Sequence, residues 1–564
     1  MKALIRNIEA LSEKDYDLAV VGGGIFGVCA AWDAVLRGFS VVIIDKGDFC
    51  HATSANHFKM VHGGIRYLQH ADVVRIRESS RERSAFLRVA PHLVKPLPIV
   101  IPTYGNGMKG KAVLGAGMLL YDMLTFGRNQ GLQKERRIPN GKFISKKSVL
   151  AMFPGITTDG LTGAVVFCDG QMYSPPRLAL SFLRSAVDRG AVAANYVEAK
   201  GFIRDGNDII GVEAKDVISG RAVEIRSRCV LNTCGPWAHR LLDSSLGVQL
   251  DPRPVFSRDL AFVVNRKVSH GHSIAFSTVS QDADAIVELG GRRLFAVSWR
   301  NYMLIGVWHK VFQGPPESIN VSREEMQSFV DEVNAAYPGL KIGIDEVTLI
   351  NTGLTLFGEE AHQGDQSMSF GKRSLIIDHD REHGFRGLVS LIGVRATTAR
   401  GMAQKAVNLI SKKIGQERPP ARTDSIPIYG GDFKSFTDLQ QKALLQHKTL
   451  LKPDHIRSLI HNYGSEYPAV LKYIDENPQW GEAVGGSNTT MAEIVHAIRE
   501  EMSCRLADVV FRRTDMGTGQ IPAHDMLTIC AELMARELGW DKRQMEREIC
   551  AVRDEFHTIF ENPN

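Results

Sequence analysis

Residues 16 to 27 read Tyr-Asp-Leu-Ala-Val-Val-Gly-Gly-Gly-Ile-Phe-Gly, an apolar, β-branched run that breaks into glycines and continues as a helix. No other stretch limits the fold so tightly, because each residue type there meets a separate steric demand. Asp17 to Val21 predicts a buried parallel strand. Gly22, Gly24 and Gly27 follow it in G-x-G-x-x-G spacing. The first glycine permits a tight turn, the second lets backbone approach a pyrophosphate, and the third lets the helix pack closely on its strand. A helix from Ile25 to Arg37, stopped at Gly38, would aim its unpaired N–H groups and dipole at that pyrophosphate. Gly22, Gly24, Ile25, Phe26 and Gly27 are therefore cofactor-binding candidates. A second strand, Phe39 to Ile44, delivers Asp45, 23 positions after Gly22, with Lys46 beside it. Ribose hydroxyls can donate to a carboxylate there, and its charge disfavours the 2′-phosphate of NADP. The motif leaves FAD and NAD both open.

The segment that follows decides between them. Thr53-Ser54, Lys59 and His62-Gly63-Gly64-Ile-Arg66-Tyr67 lie directly after the second strand, where they would run along an extended cofactor to its far end. This order resembles the FAD-dependent (aerobic type) glycerol-3-phosphate dehydrogenases, which carry a Thr-Ser stretch, a Lys, then His-Gly-Gly-Leu-Arg-Tyr. Asn232-Thr-Cys-Gly235-Pro-Trp237 is similar to that family's turn where a third strand returns to FAD. Ile392-Gly393-Val-Arg395-Ala396-Thr397-Thr398-Ala-Arg400 is similar to its turn under the flavin ring. Residues 492–502 and Arg512-Arg513-Thr514 resemble its appended helical domain. The resemblance implies FAD, a quinone or other electron acceptor, and a small anionic alcohol substrate. It also implies a Rossmann-like FAD-binding domain of the glutathione-reductase/D-amino-acid-oxidase type, a mixed β-sheet substrate domain and an all-helical C-terminal domain. Val197 joins the cofactor set on the strands that return to that domain.

The substrate half departs from the family. Members present an Arg in Ser-Gly-Val-Arg-Pro-Leu, whereas this chain reads Asn351-Thr-Gly353-Leu354-Thr355-Leu, with Thr355 at the arginine's place. A hydroxyl cannot replace the paired charged bonds of a guanidinium on phosphate. The second phosphate-side Arg corresponds to Lys372 or Arg373, the flavin-side Lys becomes Arg395, and Ile-Gly-Thr-Thr-Asp becomes Ile305-Gly306-Val-Trp308-His309.

Composition agrees with an ordinary globular protein. The chain has 564 residues, 44% hydrophobic and 23% charged, with net charge +5, enough for two or three domains. It has no run of five like charges and no zinc-finger or RNA-binding string, so nucleic acid is not expected. Eight dispersed cysteines, with Cys29 on the cofactor helix and Cys504, Cys530 and Cys550 on tail helices, read as buried free thiols in a reducing cytosol. The first 17 residues lack the apolar core of a signal peptide. Residues 112–126 form a short apolar, basic-flanked segment that reads equally as a buried helix or as one lying in a bilayer interface. The family's habit favours peripheral contact with the inner membrane.

The motifs divide the chain into FAD-binding parts at 1–90, 171–250 and 351–420, substrate-domain parts at 91–170 and 251–350, and a helical domain at 432–564. For the chemistry, Arg395, Ala396 and Thr397 are placed to stabilise charge on a reduced flavin, and His62 is the candidate base, with Arg66 and Tyr67 orienting substrate. His62 reads equally as a flavin-packing residue. His309 is a second candidate base, although a surface position suits it as well. The anion would rest on Arg66 with Lys372 or Arg373. Arg512-Arg513 reads as solvated surface or a domain contact. Two other functions stay open: an enzyme of the same fold acting on another hydroxylated or amino substrate, and a non-catalytic flavoprotein.

Overall fold

The computed structural model describes residues 2–105, 110–251, 253–267, 271–278, 293–358, 374–415 and 418–557. The apolar strand predicted at the N-terminus is β1 (Tyr16–Val21), and every residue of it but Asp17 is buried. Its neighbours are parallel: β2 (Val41–Ile44) on one side and β10 (Ala222–Asn232) on the other. β7 (Val192–Ala194) and β17 (Leu388–Ile392) extend the parallel sheet at either end, and β16 (Leu375–Asp378) closes it antiparallel. β8 (Val197–Asp205) and β9 (Asp208–Asp216) form an antiparallel ribbon continuous with β10. Parallel strands buried on both faces need helices to cover them. α1 (Ile25–Leu36) does so, packed between the helices Pro175–Asp188 and Ala399–Ile414.

A second, mixed sheet lies beside it. Its order is β15 (Val347–Gly358), β11 (Val255–Val264), β14 (Tyr302–Phe312), β13 (Arg293–Trp299), β12 (Ser273–Ser277), β4 (Val94–Tyr104), β6 (Leu161–Met172) and β3 (Met60–Val61), with β5 (Lys142–Ser145) paired to β6. Residues 351–358 therefore belong to this sheet and not to the closing part of the FAD-binding domain, because β15 pairs along its length with β11. Between β11 and β14 the register skips Val307: Leu260 faces Trp308 and Ala261 faces Gly306. Such bulges re-aim side chains beside active sites.

The C-terminal part is helical, from Phe436–Gln446 to Lys542–His557. It is clamped to the first domain by buried charge. Arg512 and Arg513 both donate to Asp48, three residues after Asp45, with N–O distances of 2.7 to 2.9 Å. Asn195 adds a bond at 2.9 Å. Burial alone would raise the Asp48 pKa, but Arg513 and Arg512 hold it well below the usual carboxylate range. Of the two sequence readings of this arginine pair, the structure selects the domain contact. Cys504 lies in the connection before these arginines rather than on a helix, and Cys550 is exposed.

Candidate active site

A cavity of about 1010 Å³ runs between the two sheets. One end is backbone. Gly22, Gly24, Ile25, Phe26, Asp45, Lys46 and Val197 line it, together with Gly235 and Trp237. The glycines are there for space: a Cβ on Gly22 would lie 2.6 Å from the carbonyl oxygen of Thr233, and one on Gly27 would lie 1.9 Å from that of Gly22. Gly27 itself is outside the cavity and serves the helix–strand approach. Asp45 accepts from the N–H groups of Gly23 at 2.6 Å and Gly47 at 2.9 Å, so it also pins the turn it faces. Ser54 Oγ accepts from the Ile25 N–H at 3.0 Å, and Thr53 Oγ1 joins its loop to Leu354 of β15.

The far end is made by turns from both domains. Gly393, Arg395, Ala396 and Thr397 line it opposite His62, Gly64, Arg66 and Tyr67. Thr397 Oγ1 accepts from the His62 N–H at 3.2 Å, and Arg395 donates to the Tyr67 hydroxyl. Gly63 is packed behind the wall. Its N–H donates to Asp169 at 2.5 Å, Asp169 in turn pairs with buried Arg83 at 2.8 Å, and the Tyr121 hydroxyl donates to the Gly63 carbonyl. Burial, then Arg395, Arg83 and Arg66, lower the His62 pKa to about 3, so the imidazole is neutral at physiological pH.

Lys59, expected along the cofactor, lies outside the cavity. Its ammonium donates to Asn351 Oδ1 at 2.7 Å and to the His57 carbonyl at 3.2 Å. Burial and then Arg300 lower its pKa to about 7. It ties the loop to β15 because a buried ammonium needs polar partners. His309 is only 12% exposed and faces the cavity, bonded to Asp259, so the surface reading of it fails. Thr355 faces the cavity too. Lys372 and Arg373 lie outside the described residues.

Arg293 and Asp259 are among the lining residues that escaped the sequence reading. Arg293 stands near Arg66, and burial together with that neighbour lowers its pKa to about 10. Asp259 interrupts an apolar strand, a signal that charge inside a buried run could have raised.

Residues 17–389 match the FAD dependent oxidoreductase family. The chain belongs to that family. Residues 421–545 match the C-terminal domain of alpha-glycerophosphate oxidase. The glycerol-3-phosphate dehydrogenase of Synechocystis is 29% identical over 558 residues, 97% of each chain. The aerobic glycerol-3-phosphate dehydrogenase of Staphylococcus epidermidis is 25% identical, covering 98% of this chain and 97% of its own. Among solved structures, the glycerol-3-phosphate dehydrogenase from Bacillus halodurans complexed with FAD superposes with a TM-score of 0.75 at 23% identity, covering 98% of this chain and 96% of that one. The shared fold extends through the helical domain. The family makes FAD the cofactor, and the residues present fit it: a glycine turn with no room for a Cβ at Gly22 or Gly27, a helix N-terminus facing the cavity, and an acid after the second strand.

Proposed function

We propose that this protein oxidises sn-glycerol 3-phosphate to dihydroxyacetone phosphate and passes the electrons to a membrane quinone. The observation that carries this reading is the group of basic side chains at the end of the cavity away from the glycine turn: Arg66 and Arg395 act on His62, and Arg293 stands near Arg66. Full-length relatives named glycerol-3-phosphate dehydrogenase support the substrate.

FAD, when bound, supplies the hydride acceptor. The chain's own residues do the rest. Arg66 and Arg293 hold the substrate anion by charge-assisted bonds. His62 takes the alcohol proton onto an imidazole nitrogen once the bound substrate anion offsets the arginine charges that lower its pKa. Arg395, oriented by Tyr67, offers positive charge at the Gly393–Thr397 turn, where negative charge develops.

For the acceptor, α2 (Val73–Val89) and α3 (Lys111–Leu124) present an apolar face. Leu119 and Met123 are each 68% exposed and Phe126 94%, with Val74 nearby on α2 also exposed. α3 packs on the turn Ile65–His70 that carries Arg66 and Tyr67. Among the described residues no helix is long and apolar enough to cross a membrane. An apolar helical face with a basic flank suits the bilayer interface, which would bring a quinone close to the cavity. The deciding experiment is anaerobic addition of glycerol 3-phosphate to the yellow protein. Rapid loss of flavin absorbance is the expected result, and a spectrum unmoved by this or any other polyol would overturn the proposal.

A further inference from the structure

One polar group in the cavity has no part in the chemistry above. Asp259 of β11, His309 of β14 and Thr355 of β15 stand on three adjacent strands and all face the cavity. Asp259 lies opposite His309 in register. Its Oδ1 accepts from His309 Nδ1 at 2.7 Å and from Ser257 Oγ at 2.8 Å, and its Oδ2 accepts from Thr355 Oγ1 at 3.0 Å. An ionised carboxylate only accepts, so the Nδ1 nitrogen carries the imidazole proton. A carboxylate has about four lone-pair sites, and these three bonds leave acceptor capacity on Oδ2. Its side chain is 23% exposed, so that capacity is reachable from the cavity.

The next strand of the same sheet ends differently. Arg293 of β13 lies two residues before Phe295, which pairs with Gly306 of β14, and both side chains line the cavity. The sheet thus shows an acid, an imidazole and a hydroxyl on three strands and a guanidinium on the fourth, near Arg66. These two ends select opposite chemistry. Phosphate is held well by a guanidinium and is repelled by a carboxylate, whereas an alcohol hydroxyl donates to a carboxylate and accepts from a hydroxyl.

We propose that Asp259, His309 and Thr355 form the specificity wall of the cavity: they hydrogen-bond the uncharged, hydroxyl-bearing end of the substrate and exclude phosphate from that side, leaving the single anion to Arg66 and Arg293. The substrate class is then a polyol carrying one phosphate, with a terminal hydroxyl placed on Asp259. This rests on the reading of the cavity as an alcohol-oxidising flavin site and narrows what it accepts.

The test compares glycerol 3-phosphate with propane-1,2-diol 1-phosphate, which keeps the phosphate and the secondary alcohol but lacks the terminal hydroxyl. Initial rates of anaerobic flavin bleaching are measured for the holoenzyme, Asp259→Asn and Thr355→Val, with the flavin spectrum confirming that each variant is loaded. The wild type should prefer the hydroxylated compound by about 100-fold or more in kcat/KM, since a site built to bond a hydroxyl rejects the analogue that lacks it. Each variant should cut that ratio about tenfold, by lowering the rate with glycerol 3-phosphate while the deoxy compound changes less than about twofold. A wild type that bleaches equally fast with both compounds refutes the wall and leaves the alcohol oxidation standing. An undiminished ratio in a loaded variant refutes it as well. Should Asp259→Asn fail to load flavin, the wild-type ratio and Thr355→Val still decide. No bleaching by either compound or by other polyol phosphates removes the underlying function instead.

Discussion

At the nucleotide end of the cavity the chain uses backbone: three glycines, a helix start and one carboxylate, all within 30 residues of one another. At the substrate end it uses side chains brought together from positions 62, 66, 259, 293, 309, 355 and 395. The first end tolerates little change, because atoms added at Gly22 or Gly27 meet fixed carbonyls. The second is a set of side chains carried on turns and on sheet strands, where a substitution changes a side chain and leaves the backbone path alone. One fold can therefore keep its cofactor turn while the side chains that line the substrate end change. That is the pattern here, where the glycine turn stands intact and Thr355 occupies the place of an expected arginine.

The contrast can be broken most sharply at Gly27. Because a Cβ would sit 1.9 Å from the Gly22 carbonyl oxygen, Gly27→Val should give protein with no bound flavin, read as the absence of yellow absorbance in whatever folds. Full flavin content in that variant would show the turn to be as forgiving as the substrate end. Next in size is the clamp behind it. Asp48→Ala leaves Arg512 and Arg513 buried without their shared acceptor, and denaturant unfolding should show a loss of about 3–5 kcal/mol.

At the substrate end, His62→Gln should lower kcat by about 10²–10⁴-fold with flavin content unchanged. A loss under threefold would assign His62 to packing. Proton binding sharpens the picture further. His62 titrates near 3, and His379 and His461 near 4, in each case chiefly through burial. The unfolded chain binds protons at these histidines near pH 6.5 and the folded chain does not. Stability is therefore complete above about pH 6.5 and falls as pH drops towards 4, by at most about 1.4 kcal/mol per pH unit for each group. Thermal unfolding at pH 7 and pH 5 checks the sign. The smallest expected effect on chemistry comes from α3. Leu119→Asp with Met123→Asp should abolish binding to anionic vesicles while glycerol 3-phosphate bleaches the flavin at the wild-type rate.

The nucleotide end could be read from the chain alone because its demands are local. A strand, a glycine turn, a helix and Asp45 follow in order, and each residue type answers a steric or electrostatic need set by its immediate neighbours. His62, Arg66 and Arg395 were legible for a different reason: short motifs of known kind carry them. Asp259 and Arg293 were not, since each is a charge next to another, Arg258 and Arg292, and which of them faces the cavity depends on strand register with partners far along the sequence. Lys59 was misplaced for the same reason. Its partner, Asn351, is 292 positions away, and the bond between them turns an apparent cofactor ligand into a loop tether. Arg512 and Arg513 offered two readings in the sequence, and only the approach of Asp48 chose the buried one.

What the sequence determined by itself was the cofactor half, because contacts between residues a few positions apart are dictated by local geometry. What the tertiary structure alone decided was the far wall of the cavity: the bond of Asp259 to His309 and Thr355, and the nearness of Arg293 to Arg66. Those contacts exist only once the strands β15, β11, β14 and β13 pair in a particular order. That order is set by the burial of both sheets at once, a property that no short stretch of chain contains.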